Sequence, residues 1–167
     1  MEQQAKFTIR EAREEDTPLI LQFITELAVY ERMEADVVAT EEGLREQLFV
    51  RKNAEALIGE EEGTAVGFAL FFHNFSTFLG RAGLYLEDLY VRPEARGKGY
   101  GKAFLHRLAH TAVERGCGRM EWACLNWNQP SIEFYLSLGA RPMSEWTVYR
   151  EEGESLRALA DGDRHAL

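Results

Sequence analysis

From Lys6 to Ala12 apolar and polar residues alternate, the period of a half-buried strand. The period then lengthens: Ile20, Phe23, Ile24 and Leu27 recur at helical spacing behind Thr17 and Pro18, an N-cap and a first-turn proline for a helix to about Tyr30. Thr40 caps a second helix with an acidic first turn, ending near Phe49. Strand-like stretches at Ala54–Glu60 and Thr64–Phe75 flank a Glu-Glu-Gly turn and predict an antiparallel hairpin. Ala82–Val91 predicts the next strand. Beyond a glycine-rich turn, a helix from about Gly101 to Arg115 carries the stripe Phe104, Leu105, Leu108, Ala109 and Ala112, and Gly116 and Gly118 end it. A strand at Met120–Leu125, a helix at Pro130–Leu138 closed by Gly139, and a strand at Trp146–Arg150 complete the order. A hairpin followed by a strand-helix-strand unit predicts an α/β chain: a mixed sheet with helices on both faces.

The chain reads as one domain over 1–167, with a core from about Lys6 to Leu159 and a frayed tail over 160–167. Its 28 Asp and Glu outnumber 19 Lys and Arg, a formal charge of −9 that disfavours nucleic acid and anionic membrane as partners and favours small cations. The longest apolar run, Phe68 to Phe72, is far short of the roughly 20 residues of a membrane span. Two cysteines, Cys117 and Cys124, form no CxxC pair and suit a reducing, cytoplasmic setting. His106 and His110 stand four apart but lack the glutamate of a HExxH site, so no metal is expected.

One stretch reverses the acidic character. Between Arg92 and Arg107 lie Arg92, Arg96, Lys98, Lys102 and Arg107 against Glu94 alone, five positive charges to one negative and a local +4. Within it, Gly97, Gly99 and Gly101 sit between a strand and a helix, where backbone N–H groups and the helix dipole favour an anion. A nucleotide P-loop is excluded because Ala103, not Ser or Thr, follows Gly101-Lys102. The GxGxxG dinucleotide pattern starting at Gly97 fails because position 102 is lysine. A polyanion cradle and a plain tight turn remain.

Arg96, Gly99 and Gly101 form an RxxGxG pattern that resembles the pyrophosphate loop of the GNAT superfamily of acetyl-CoA-dependent N-acetyltransferases. The likeness runs from "FTIREA" to "TVYRE". The segments "LAVYERME", "GRAGLYLEDLYV" and "LNWNQPSIEFYLSLGA" look like the diamine and polyamine branch, the spermidine/spermine and thialysine acetyltransferases. This resemblance implies a GNAT-like fold, a mostly antiparallel mixed sheet whose two parallel strands splay apart at a bulge near Leu89, Tyr90 and Val91. It also implies a homodimer with substrate clefts near the interface.

The resemblance gives the residues roles. Acetyl-CoA would pair with the backbone of Leu89, Tyr90 and Val91, rest its pyrophosphate on Arg96, Gly97, Lys98, Gly99, Tyr100, Gly101 and Lys102, and extend its pantetheine arm to Asn128 and Tyr135. Glu87 corresponds to the glutamate that binds the amine and serves as base through water, and Tyr135 to the tyrosine that protonates the departing thiolate. By spacing alone these are a strand-end carboxylate in an ion pair and a core aromatic. Strand alternation points Glu87 and Asp88 to opposite faces, and Asp88 reads as structural. Tyr30, Glu31, Glu87, Glu121, Trp122, Ala123 and Glu145 correspond to substrate-binding positions. Two departures bear on amine specificity: Phe78 stands where the family often has tryptophan, and Glu145-Trp146 lacks an intervening glycine. An alkylamine of pKa about 10.4 is neutral only once in 10³ to 10⁴ molecules at pH 7, so amine acetylation needs a proton acceptor. The branch activity, acetylation of a protein or xenobiotic amine, and a noncatalytic acyl-CoA sensor are the readings the sequence leaves.

Overall fold

The computed structural model describes residues 5–162 and divides into two compact units, Met1–Leu125 and Asn126–Leu167. In the first unit β1 (Phe7–Glu11), β2 (Glu55–Glu61), β3 (Thr64–Ser76), β4 (Arg81–Val91) and β5 (Met120–Trp122) lie side by side in sequence order. The first four are antiparallel. β5 is parallel to β4, reached through the crossover helix α3 (Tyr100–Glu114), the third helix after α1 (Thr17–Glu31) and α2 (Glu41–Arg45).

Most of the predicted elements are present because local chemistry and burial agree. Ile20, Phe23 and Leu27 of α1 are buried against Ala56, Ile58, Phe68, Leu70 and Tyr90, and this apolar cluster covers one sheet face. Asp16, not Thr17, occupies the N-cap position of α1, while Pro18 lies in its first turn. The Asp16 carboxylate receives the Arg13 N–H and both amino groups of Arg10, and Arg10 also pairs with Glu60 of β2. This arrangement fastens the start of α1 to the sheet. Thr40 accepts a hydrogen bond from the Gly43 N–H at 3.1 Å, as a cap should. The hairpin turns at Glu62 and Gly63, both at positive φ.

On the opposite face α3 buries Phe104, Leu105, Leu108 and Ala112, whereas Ala109, counted in the predicted stripe, is exposed. A Cβ built on Gly59 of β2 would fall 2.7 Å from the Phe104 ring. Tyr100 stacks on Phe7 with ring centroids 3.9 Å apart, which anchors the first turn of α3 to β1.

The second unit contains α4 (Gln129–Ser137) and α5 (Gly153–Ala160). The strand expected at Trp146–Arg150 is absent: the segment is in no sheet, and Trp146, Val148 and Tyr149 are exposed. Alternation prepares a chain for a sheet but cannot supply the neighbouring strand whose hydrogen bonds make one. β5 likewise stops at Trp122 rather than Leu125. Of the predicted tail, Ala160 closes α5, and 163–167 lie outside the described residues.

Candidate active site

β4 carries the chemistry, and its pairing with β3 contains one irregularity. Leu70 faces Asp88, but the next residue of β3, Phe71, faces Leu86, so Glu87 is an extra residue, a β-bulge. The bulge lies at Glu87, ahead of the expected Leu89–Val91. It also interrupts the regular alternation from which the facing of Glu87 and Asp88 is expected. Asp88 and Tyr90 stand opposite Leu70 and Phe68, which places Asp88 on the face covered by α1. Glu87 projects to the exposed surface yet raises the pKa of Asp88. An acid pair expected on opposite faces is therefore coupled.

The carboxyl of Asp88 titrates near 7, far above the ordinary aspartate value. Desolvation is the main cause, and the negative charges of Glu87 and Glu31 add to it. Partial burial at the end of α1 also pushes Glu31 up, and burial first, then the charge of Glu31, raises the Cys124 thiol beyond β5. The Tyr85 hydroxyl is raised by burial first and then by Glu87 and Glu121. One side of the sheet thus gathers Glu31, Glu87 and Asp88 around a negative potential. Glu121 differs, because Arg119 pairs with it at 2.9 Å and the Asn74 amide donates to it. Trp122 is half-buried in β5 and Ala123 is exposed just after it.

Parallel pairing of β4 with β5 covers only Leu84–Leu86. Past that point Leu89, Tyr90 and Val91 are bonded to β3 but have no ladder to β5, which leaves a backbone edge open to an extended ligand. The side chain of Tyr90 packs in the core, so a cofactor would meet the strand's main chain there.

The glycine turn follows. Gly97 and Gly99 have φ of 78° and 84°, and a Cβ on either, or on Gly101, would meet open space. No side chain caps α3, because its N-cap is Gly99. The first-turn N–H groups consequently form a cradle fit for a phosphate, with Tyr100 contributing backbone only since its ring is buried on Phe7. The local +4 does not survive folding. Arg92 is paired with Glu26 at 3.1 Å and lies over the Phe23 ring, and Lys98 is paired with Glu61 at 2.6 Å. Arg96 donates from Nε to the Val91 carbonyl at 2.7 Å and lies 5.0 Å from the Tyr30 ring centre. That guanidinium joins the cradle to the end of α1, where Tyr30 and Glu31 stand.

In the second unit Asn128 caps α4, accepting from the Ser131 N–H at 3.4 Å. Tyr135 is half-buried one turn from the helix end beside Phe134, and Glu145 is exposed in an irregular stretch. His106 and His110 lie on the exposed side of α3, His110 beside Glu114, and no described residues form a cluster able to hold a metal. No described helix is long and apolar enough to cross a membrane. Asp88 is the group that residue-by-residue reading undervalued. Its only sequence signal was a second acid at a strand end, which gives no hint of a bulge.

Comparison with known proteins bears on the family and the fold. The model of the acetyltransferase (GNAT) family matches residues 12–140. A thialysine N-epsilon-acetyltransferase of Sus scrofa is 40% identical over 168 residues, covering 93% of this chain and 98% of that protein. An L-ornithine N5-acetyltransferase of Arabidopsis thaliana is 31% identical, covering 90% of this chain and 86% of that one. Among solved structures, an integron cassette protein from the mobile metagenome of V. cholerae superposes with a TM-score of 0.77 at 28% identity, over 92% of this chain and 97% of its own.

Proposed function

The chain belongs to the acetyltransferase (GNAT) family and is an acetyl-CoA-dependent N-acetyltransferase; from this premise we propose that its acceptor is a primary amine of a small cation, a diamine, polyamine or thialysine-like amino acid. The observation that carries the reading is the acidic group at β4 and the end of α1, where burial, Glu87 and Glu31 together raise the Asp88 carboxyl. A cationic amine is the ligand such a potential attracts. Relatives named for thialysine and L-ornithine acetylation point to the same class of acceptor.

Acetyl-CoA supplies the activated acetyl group. The open edge of Leu89–Val91 and the cradle from Arg96 to Lys102 hold it, with Asn128 on the pantetheine arm. Glu87 takes the amine proton through water, which lets the neutral nitrogen attack directly within a ternary complex. Tyr135 donates a proton to the departing thiolate, a general-acid task for which a tyrosine hydroxyl is suited. Tyr30, Glu121, Trp122, Ala123 and Glu145 complete the amine site, the whole chain acts as one catalytic domain, and it works as a homodimer.

The test is release of free thiol from acetyl-CoA by purified protein offered diamines, polyamines, thialysine and peptides. Turnover is expected with the small cations. Acetyl-CoA binding without thiol release would make the protein a sensor, and turnover with peptides alone would move the acceptor class. Tyr135→Phe is expected to lose about 10²- to 10⁴-fold in kcat, and unchanged turnover would remove Tyr135 from its role.

A further inference from the structure

We propose that Asn74 is a positioning residue of the amine site: reaching across β4, it holds the Glu121 carboxylate by one oxygen and leaves the other for the acceptor's ammonium group. The inference rests on the amine reading above, which places Glu121 among the residues that meet the acceptor. β5 has three residues and pairs with β4 over Leu84–Leu86, so its ladder alone gives Glu121 little support. Register nonetheless fixes the face. Leu70, Phe72 and Asn74 alternate along one side of β3, and their partners Asp88, Tyr85 and Gly83 lie on the same side of β4. Tyr85 in turn stands opposite Glu121, which brings that carboxylate onto the side of the sheet that α1 covers.

Strands two apart in a sheet are separated by about 9–10 Å, so a contact from β3 to β5 needs a side chain that passes over the strand between them. Gly83 is where it passes. A Cβ built on Gly83 would run into Asn74 Oδ1 and come within 3.2 Å of Arg119 Cγ, and its φ is not positive, so this glycine serves the crossing and not a turn. Asn74 Nδ2 donates to Glu121 Oε1 at 3.3 Å, and Arg119 Nε pairs with the same oxygen at 2.9 Å. A terminal nitrogen of Arg119 also donates to the Phe75 carbonyl at 3.3 Å, a second tie from β5 to β3. Both contacts with Glu121 fall on Oε1, and the ammonium would be met by Oε2. The Asn74 amide is oriented by Glu121 at its own expense, because its Oδ1 is buried with no hydrogen-bond partner among the described residues. Turning the amide round would set that oxygen against the carboxylate and lose the donor. Buried acceptors are rarely left unmatched, and holding Glu121 accounts for this one. Arg119 is long and partly exposed, whereas Asn74 is short and half-buried, so Asn74 restricts the Glu121 rotamer more narrowly.

Steady-state kinetics of the full protein with thialysine, and with spermidine in parallel, test this in Asn74→Ala, Gly83→Ala and the double variant. Asn74→Ala should raise the amine KM about 3- to 10-fold, the worth of one ordinary hydrogen bond, with kcat and the KM for acetyl-CoA within about twofold. Its Tm should stay within about 2 °C of wild type, since the change also removes the unmatched Oδ1. A merely structural asparagine would do the reverse, lowering Tm and leaving the amine KM alone. Gly83→Ala, whose methyl group displaces Asn74, should reproduce the rise in amine KM and provides the second arm should Asn74→Ala fail to fold. Added to Asn74→Ala it should raise the KM no further, because the side chain it displaces is gone. A wild-type amine KM in Asn74→Ala, an equal rise in the KM for acetyl-CoA, or additive effects of the two changes would overturn the role of Asn74 while leaving amine turnover intact. Absence of turnover by wild type with every amine would instead overturn the amine reading, and this proposal with it.

Discussion

Gly101→Ala separates what the glycine turn does for the fold from what it does for the cofactor. Gly101 is the second residue of α3, it has no positive φ, and a Cβ built on it meets no atom within 4 Å. Nothing in the protein therefore requires glycine there. Alanine should stabilise the helix by about 0.5–1 kcal/mol, since glycine is the more flexible residue in the unfolded chain. For a chain of this size that is a rise in Tm of about 1–4 °C. The same methyl group would stand over the N–H cradle and hold a pyrophosphate away from it. Loss of one charge-assisted hydrogen bond, about 1.5–3 kcal/mol, corresponds to about 10- to 100-fold weaker acetyl-CoA binding. Thermal melts of the cofactor-free protein and calorimetry with acetyl-CoA read the two effects separately. Unchanged acetyl-CoA affinity would refute the cradle, and a lower Tm would refute the local geometry of α3. Gly99→Ala makes the contrast, because φ of 84° costs a residue with a Cβ about 1–2 kcal/mol whatever the space around it.

Arg92→Ala should lower stability by about 1–3 kcal/mol through loss of its bonds to Glu26 and the Ala65 carbonyl, while leaving acetyl-CoA affinity within about twofold. Arg96→Ala should weaken acetyl-CoA about tenfold or more; melts and calorimetry on both variants check the division, and a reversed pattern would sink it. Arg10 and the Arg13 N–H hold the Asp16 carboxyl below its ordinary pKa. Such a depressed group stabilises the fold fully above the unfolded aspartate value of about 3.9, and that contribution fades as pH falls through the lower folded value. Asp16→Asn should accordingly cost about 1 kcal/mol at pH 7 and much less at pH 3, by urea midpoints. An equal cost at both pH values would show that the ion pair contributes nothing there.

The parts of the molecule legible in the sequence are those where a short-range cause decides. Ile20, Phe23 and Leu27 needed only a period, Thr40 only a cap, and Gly97 and Gly99 only the backbone freedom of glycine at a turn. What escaped depends on partners distant in the chain. Arg92 finds Glu26 and Lys98 finds Glu61 only once the sheet has formed, so a charge count along Arg92–Arg107 overstated the positive field. Trp146–Arg150 alternates like a strand but is paired with none. The bulge at Glu87 has no glycine or proline to mark it, and without it the environment of Asp88 could not be anticipated. The resemblance to acetyltransferases supplied the family; it did not supply that acid.

One further consequence follows from the extra residue in β4. Side chains on a strand alternate, but Leu86 and Asp88, two apart, face opposite sides because Glu87 falls outside the count. Deleting Glu87 would remove more than a carboxylate. Leu86 and Asp88 would become consecutive residues still opposite Phe71 and Leu70, so Tyr90 would keep its place in the α1 core while the local bend of the strand was lost. The two faces of β4 alternate as though Glu87 were not counted, so this extra residue sets the bend of the strand and the separation of its two acids, not the layer that Tyr90 joins.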